Sequence, residues 1–289
     1  MPSSFLSECK QKVLNRIESL LTQQDQVTSS MRYSALADSK CIRAGLVFAS
    51  GKLEGKLDEV GLTDIATSLE LMHTYSLIHD DLPAMDDDDM RRGQPSNHLK
   101  FNEATAILAG DALQALAFET IASSKAITDA HKVEAVKMLA AACGHQGMVL
   151  GQQYDLDAEK NELLDIELIH SLKTAKLIQV ALTMPYLGNE MYKKTQVLLS
   201  NLGGKIGLAF QIMDDVLEVS SDSVILGKSN LSDLTNKKMT YVSVYGLEAS
   251  IQKAEALSNF CIEQIQENFE VEKTRELIEL MHLMVSRSN

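Results

Sequence analysis

Apolar and polar residues alternate with a period of three to four over most of the chain. Val60–Ile78 sets Ile65, Leu69, Met72 and Leu77 with their apolar neighbours at those spacings, and Ala104–Ile121 and Ile206–Leu217 repeat the pattern. A stripe of that period is the signature of an amphipathic helix. Turn-forming residues are sparse and fall at Ser50-Gly51, Asp86–Pro95, Ser123–Asp129, Tyr186–Asn189 and Ser220–Asp233, which predicts breaks at those places. No repeat, low-complexity stretch or shift of composition marks a domain boundary. The pattern predicts an all-α protein, a bundle of roughly ten or more helices around a central cavity, in one domain over residues 1–289.

Composition supports this reading and narrows the partners. Tryptophan is absent, prolines number four and 45% of residues are hydrophobic, which favours helices over a β fold. A formal net charge of −13 argues against nucleic acid or an anionic membrane surface as partner. Any phosphate must then be held by a local cluster of cations. Cys9, Cys41, Cys143 and Cys261 are scattered without metal or redox spacing, so free thiols in a reducing compartment are expected. The N-terminus has no basic region followed by an apolar core, and the best apolar run, Ala104–Phe118, is short and contains Asp111. A cytoplasmic protein with no membrane anchor is expected.

Two acidic clusters carry the chemistry. Asp80-Asp81-Leu-Pro-Ala-Met-Asp86 and Asp214-Asp215-Val-Leu-Glu218 each adjoin an apolar helical stretch. Asp214 and Glu218, four residues apart, project from one helix face a turn apart. Like charges at that spacing destabilise a bare helix, so a cation over them explains the arrangement better. Pro83 interrupts the first cluster's helix and lets the chain bulge so that Asp80, Asp81 and Asp86 aim at one point. Hard oxygen ligands suit Mg²⁺. Solvated helix ends are the bland alternative, and the better one for Asp87, Asp88 and Asp89. Arg91 and Arg92 follow directly; they either neutralise the acids or grip phosphate oxygens. Lys40 with Arg43, Lys173, Lys228 and Lys238 are further cations near turn-like segments.

These residues resemble the trans-isoprenyl diphosphate synthases, most closely the bacterial-type farnesyl diphosphate synthases. The stretch from His73 and Tyr75 through Asp80, Asp81, Asp86, Arg91, Arg92 and Gly93 to Pro95 is similar to the family's first aspartate-rich motif with its flanks. Phe210-Gln211-Ile-Met-Asp214-Asp215-Val-Leu-Glu218 is similar to the second. Ala109-Gly110-Asp111-Ala112-Leu113, Gly151-Gln152 with Asp155, His170-Ser-Leu-Lys173-Thr174, and Gly227-Lys228 through Asp233 to Lys238-Met-Thr240-Tyr241 follow the family order. The matches run from about Met31 to Tyr241.

The resemblance implies an isoprenoid synthase fold, a prenyltransferase using about three Mg²⁺ per site, and a homodimer. It implies that Asp80, Asp81, Asp86 and Asp214 hold metal, with Asp215 and Glu218 in support. Arg91, Lys173, Lys228 and Lys238 join the metals on the diphosphate of an allylic substrate. Lys40, Arg43, His73 and Arg92 form the pocket for isopentenyl diphosphate. Thr174 and Gln211 lie beside the reacting carbon. Neutralising the leaving diphosphate releases a delocalised allylic cation, which the isopentenyl double bond attacks before a proton is lost, pyrophosphate being a plausible base. Water must be excluded, so closure of 220–238 over the metals is expected.

Some positions depart from the family pattern. The family's Gly-Gly-Lys-Arg-x-Arg-Pro stands here as Asp38-Ser39-Lys40-Cys41-Ile42-Arg43-Ala44, Glu218 replaces the usual Asp, and Val242 a common proline. Tyr75 lies five residues before Asp80, about 7 Å down a helix at ~1.5 Å per residue. There a ring would floor the path of the allylic tail. In similar enzymes an aromatic at this place, with the two-residue enlargement of the first motif, accompanies a fifteen-carbon product; Tyr75 and its neighbour Ser76 are the chain-length positions. Ordinary core is the alternative for Tyr75. Other readings are a geranylgeranyl or longer-chain synthase, which would want a small residue at Tyr75, and a terpene cyclase, whose second site carries Asn, Ser or Thr. A non-catalytic regulatory subunit need not keep these acids and cations. A calcium loop cannot be read through Asp86–Asp89.

Overall fold

The computed structural model describes residues 4–158, 165–189, 192–226 and 239–286, and these are almost wholly helical. The helices are α1 (Ser4–Leu20), α2 (Gln26–Ala35), α3 (Ile42–Glu54), α4 (Glu59–Asp80), α5 (Asn97–Lys100), α6 (Glu103–Ala122) and α7 (Asp129–Cys143). They continue with α8 (Met148–Ala158), α9 (Ile166–His170), α10 (Lys176–Thr183), α11 (Tyr192–Leu226), α12 (Tyr241–Tyr245), α13 (Leu247–Asn268) and α14 (Val271–Val285). A π-helical turn, Ser171–Ala175, follows α9, and a short 3₁₀ turn, Met184–Tyr186, follows α10. Contacts group the chain into two compact units, Met1–Leu139 with Ala181–Tyr192, and Ala140–Val180 with Lys193–Asn289.

The first unit is built around α4. This helix is buried on most sides, with Ile65, Leu69 and Met72 inaccessible, and it packs on α6, α3 and α1. Each such side chain contributes about 1.5–3 kcal/mol by leaving water. On α4 Arg16 bonds Asp64 at 2.9 Å and the Ser68 hydroxyl donates to the Ala117 carbonyl at 2.7 Å, while the buried Thr67 hydroxyl has no hydrogen-bond partner among the described residues. Its start is capped by Asp58, which accepts from the Gly61 N–H at 2.8 Å; Asn102 caps α6 in the same way through Thr105. The expected break at Asp86–Pro95 is a minimal hairpin, β1 (Met90–Arg91) against β2 (Gln94–Pro95), turned by Arg92 and Gly93 at φ 53° and 76°. Two positive φ values in a two-residue loop match the twist of the strands.

Three expectations need correction. Ser50-Gly51 makes no turn but lies inside α3. The Ser50 hydroxyl donates to the Leu182 carbonyl at 2.6 Å, and a Cβ on Gly51 would stand 2.8 Å from Leu62 Cδ1, so both residues serve close packing. The break expected from Ser220 begins too early, since α11 continues to Leu226; no Gly or Pro interrupts the chain before Gly227. The remainder of that stretch lies outside the described residues. Helix α6 is longer than its expected apolar run and is the one helix among the described residues long and apolar enough to cross a membrane, with 44% of that window buried. Its buried face, with Ala109, Leu113 and Ala117, packs on α4 and α2, while Ile107 and Leu108 remain exposed.

In the second unit α8, α9 and the π turn pack together, and α13 packs on α12 and α14. A Cβ at Gly151 would lie 2.3 Å from the Lys173 nitrogen, so α8 and the π turn can meet this closely only through glycine. The four cysteines are free thiols and buried.

Candidate active site

Helix α4 delivers the first acidic cluster. It ends at Asp80, with Asp81 as its C-cap, and the chain then curls through Pro83 until the Asp86 N–H donates to the Asp80 carbonyl at 2.9 Å. One backbone bond thus brings residues 80 and 86 together. Asp81 turns inward, its side chain 2% exposed. Its Oδ1 accepts from Arg91 Nε at 2.9 Å and Nη2 at 2.5 Å, and Nη2 also reaches Asp88 at 2.6 Å. Burial raises the Asp81 carboxyl above its usual range while the Arg91 guanidinium pulls it back. Asp81 and Arg91 therefore satisfy each other, the neutralising arrangement that the sequence had left open for Arg91.

Behind the acids lies a cationic cluster. His73, two turns before Asp80 on α4, is held well below the ordinary imidazole range by burial and by the charges of Arg43, Arg92 and Arg91. Arg91 is already paired with Asp81 and Asp88, so the charges of Arg43 and Arg92 are the ones that make this region attractive to an anion. Arg43 stands in the first turn of α3, and Arg92 comes from the hairpin, where it donates to the Ser34 carbonyl at 3.4 Å. Lys40 is exposed and is not among the charges acting on His73. Tyr75 is buried, its ring edge-on to His79 at 5.6 Å, and the Ser76 hydroxyl donates back to the His73 carbonyl at 2.9 Å. His79 Nε2 lies 3.1 Å from the Ile107 carbonyl on α6. A cleft of about 300 Å³ adjoins this cluster, lined by residues that include Asp81, Arg91, Arg92, Thr74 and Tyr33.

The second unit has its own constellation. The Thr174 hydroxyl, on the π turn, donates to Gln211 Oε1 at 2.8 Å, and Gln211 Nε2 donates to Asp215 Oδ1 at 3.3 Å. Asp215 Oδ2 accepts from the Tyr241 N–H at 2.6 Å and lies 3.4 Å from His170 Nε2. Burial pushes the Asp215 carboxyl up to about 6, the bonds from Tyr241 and Gln211 opposing it and the charges of Glu218 and Asp214 adding to it. Both Asp215 oxygens are engaged within the protein, whereas Asp214 is half-buried and Glu218 exposed. Lys173 pairs with Asp155 at 2.7 Å. Lys228 and Lys238 lie outside the described residues, as does most of the segment expected to close over the site. The extra backbone loop of a π turn is a common device at functional sites. Nothing in the pattern Ser171–Ala175 announces it. Glu70 and His170 also escaped assignment, because their partners lie far away in sequence.

Among the described residues no three His, Cys, Asp or Glu side chains converge tightly enough to chelate a metal by themselves. Mg²⁺ does not need such a cage, since it keeps waters and takes one or two carboxylates with phosphate oxygens. Asp80 joined to Asp86, and Asp214 one turn from Glu218, fit that requirement.

An almost wholly helical chain with one acid cluster ending a long helix, a second inside another, and arginines behind the first defines a class: the all-α isoprenoid synthase fold in its prenyltransferase form. The chain is 39% identical over 272 residues to the farnesyl diphosphate synthase of Haemophilus influenzae, covering 90% of this chain and 92% of that protein. It is also 39% identical over 269 residues to geranylgeranyl pyrophosphate synthase 7 of Arabidopsis thaliana, covering 91% and 77%. A geranyltransferase from Legionella pneumophila superposes with TM-score 0.87 at 33% identity, over 99% of this chain and 97% of that one. A geranyltransferase from Helicobacter pylori, solved with magnesium and isoprenyl diphosphate, superposes with TM-score 0.79 at 30% identity over 99% of each. Residues 24–281 match the polyprenyl synthetase family, and the chain belongs to it.

Proposed function

We propose that this protein is a Mg²⁺-dependent farnesyl diphosphate synthase, condensing isopentenyl diphosphate with dimethylallyl and then geranyl diphosphate, and that residues 1–289 act as one polyprenyl synthase domain in the cytoplasm. The observation that carries the reading is the cation cluster of Arg43, Arg91 and Arg92 around a neutral His73, on the same helix that ends in Asp80 and Asp81. An anion pocket beside carboxylates suits a substrate whose diphosphate sits next to one bridged by metal.

Arg43, Arg92 and His73 bind isopentenyl diphosphate and keep its double bond oriented. Asp80, Asp86, Asp214 and Glu218 are the acids that would hold Mg²⁺, with Asp81 and Asp215 fixed beneath them by Arg91 and Tyr241. When bound, the metal supplies neutralisation of the charge that grows on the leaving diphosphate. The Thr174 hydroxyl donates a hydrogen bond to Gln211, which leaves its lone pairs to stabilise positive charge on the allylic carbon. Asp155 holds Lys173 in reach of the leaving group. Tyr75, buried below Asp80, closes the path of the growing tail and supports a fifteen-carbon product over a geranylgeranyl one. Ile107 and Leu108 leave an apolar strip of α6 exposed, which supports a homodimer.

The test is incubation with Mg²⁺, isopentenyl diphosphate and dimethylallyl diphosphate, with product length read by mass spectrometry after dephosphorylation. Farnesol is expected as the main alcohol. Geranylgeraniol would overturn the chain-length assignment, and no condensation product would overturn the activity.

A further inference from the structure

We infer that Glu70 is the positioning residue of the isopentenyl diphosphate pocket, through a buried hydrogen bond that locks the first turn of α3 and with it Arg43. The inference rests on the function proposed above. Helix α3 begins in an unusual way. Its N-cap, Cys41, is left-handed at φ 48° and its side chain makes no cap bond, although a non-glycine residue seldom adopts that conformation without support from its surroundings. The first bond within the helix runs from the Gly45 N–H to the Cys41 carbonyl, so the N–H of Ala44 must find an acceptor elsewhere.

It finds Glu70, which is 5% exposed and accepts from the Ala44 N–H at 2.9 Å. A carboxylate at a helix N-terminus is favoured by charge and by hydrogen bonding. Glu70 lies three residues before His73 on α4, so the same face of that helix carries the clamp and the pocket. Its charge, acting after burial, also helps to raise the neighbouring Cys41 thiol to about 12. Arg43 is the residue adjoining Ala44, and its charge is the strongest acting on His73. Arg43 reaches His73 from that turn, so loosening the turn would shift its guanidinium relative to the pocket.

The clamp is possible because of a departure in the sequence. In the family pattern a proline stands where this chain has Ala44, and proline has no N–H to donate. Proline fixes the backbone by its ring. Here a hydrogen bond from a neighbouring helix takes over that task.

The experiment is a kinetic and calorimetric comparison of E70A, E70Q, A44P and E70A/A44P with the parent protein. E70A is expected to weaken isopentenyl diphosphate, in KM and in direct binding without Mg²⁺, by about tenfold to a hundredfold, while kcat and the allylic KM stay within about threefold. E70Q keeps an oxygen for Ala44 and is expected to recover most of the loss. In the A44P background E70A is expected to cost less than about threefold, since the donor has gone. A similar rise in both KM values, no rise in either, or an undiminished loss in the A44P background would overturn the inference. If the parent protein itself binds no isopentenyl diphosphate, the proposed function falls too; if the parent binds and E70A binds equally well, only the role of Glu70 falls.

Discussion

Replacing Gly110 by alanine tests the contact that holds the end of α4 against α6. A Cβ at this position would lie 2.1 Å from His79 Nε2 and 2.4 Å from Cδ2, far inside van der Waals contact. The ring is not free to yield, because Nε2 meets the Ile107 carbonyl at 3.1 Å and its face meets the edge of an aromatic neighbour, Tyr75, at 5.6 Å. Overpacking of this kind costs about 1–3 kcal/mol, and losing the hydrogen bond adds about 1 kcal/mol. Alanine returns about 1 kcal/mol through better helix propensity. G110A should therefore be destabilised by about 1–3 kcal/mol in urea denaturation, with an unchanged m value. Because His79 is the clashing group, G110A/H79A should be more stable than the two single changes predict, by about 1 kcal/mol or more. Strict additivity, or G110A as stable as the parent, would refute the reasoning. Activity should fall with stability, since His79 adjoins Asp80.

Other expectations follow from particular contacts. Asp215, raised to about 6 in the folded chain against an ordinary 3.8, binds more protons folded than unfolded between those values. Its contribution to metal-free stability is therefore present below about pH 4 and lost as pH rises through about 6, by roughly 2–3 kcal/mol at most; D215N should remove that slope from stability measured against pH, and an unchanged slope would count against it. Y75A should shift the products to chains longer than farnesyl, read by mass spectrometry, and should cost about 3 kcal/mol as a buried ring removed; an unchanged product distribution would make Tyr75 ordinary core. I107E with L108E should convert a dimer to monomer in sedimentation at micromolar concentration, because charge on a desolvated apolar strip is costly; a dimer that persists would place the interface elsewhere.

Much of this protein is legible in its sequence because the relevant signals are local. Apolar spacings of three and four over long uninterrupted runs show α4, α6 and α11 directly, although α4 is buried on most sides instead of along one stripe. The break at Pro83 follows from one ring, and the spacing of Asp214 and Glu218 from helix geometry alone. The motifs from His73 to Tyr241 carry the family because type and order of residues are themselves sequence properties. What tertiary structure decided is which faces meet. Ser50-Gly51 looks like a turn and is a close contact inside α3, because Leu182 and Leu62 come to it from distant positions. Asp81 and Asp215 look like equals of Asp80 and Asp214, yet each is turned inward onto Arg91 or Tyr241. Glu70 looks like one more polar residue on a helix until Ala44, 26 residues away, presents its N–H. Periodicity constrains a residue's place on its own helix; the partner across the gap depends on how the helices pack, and no local pattern encodes that.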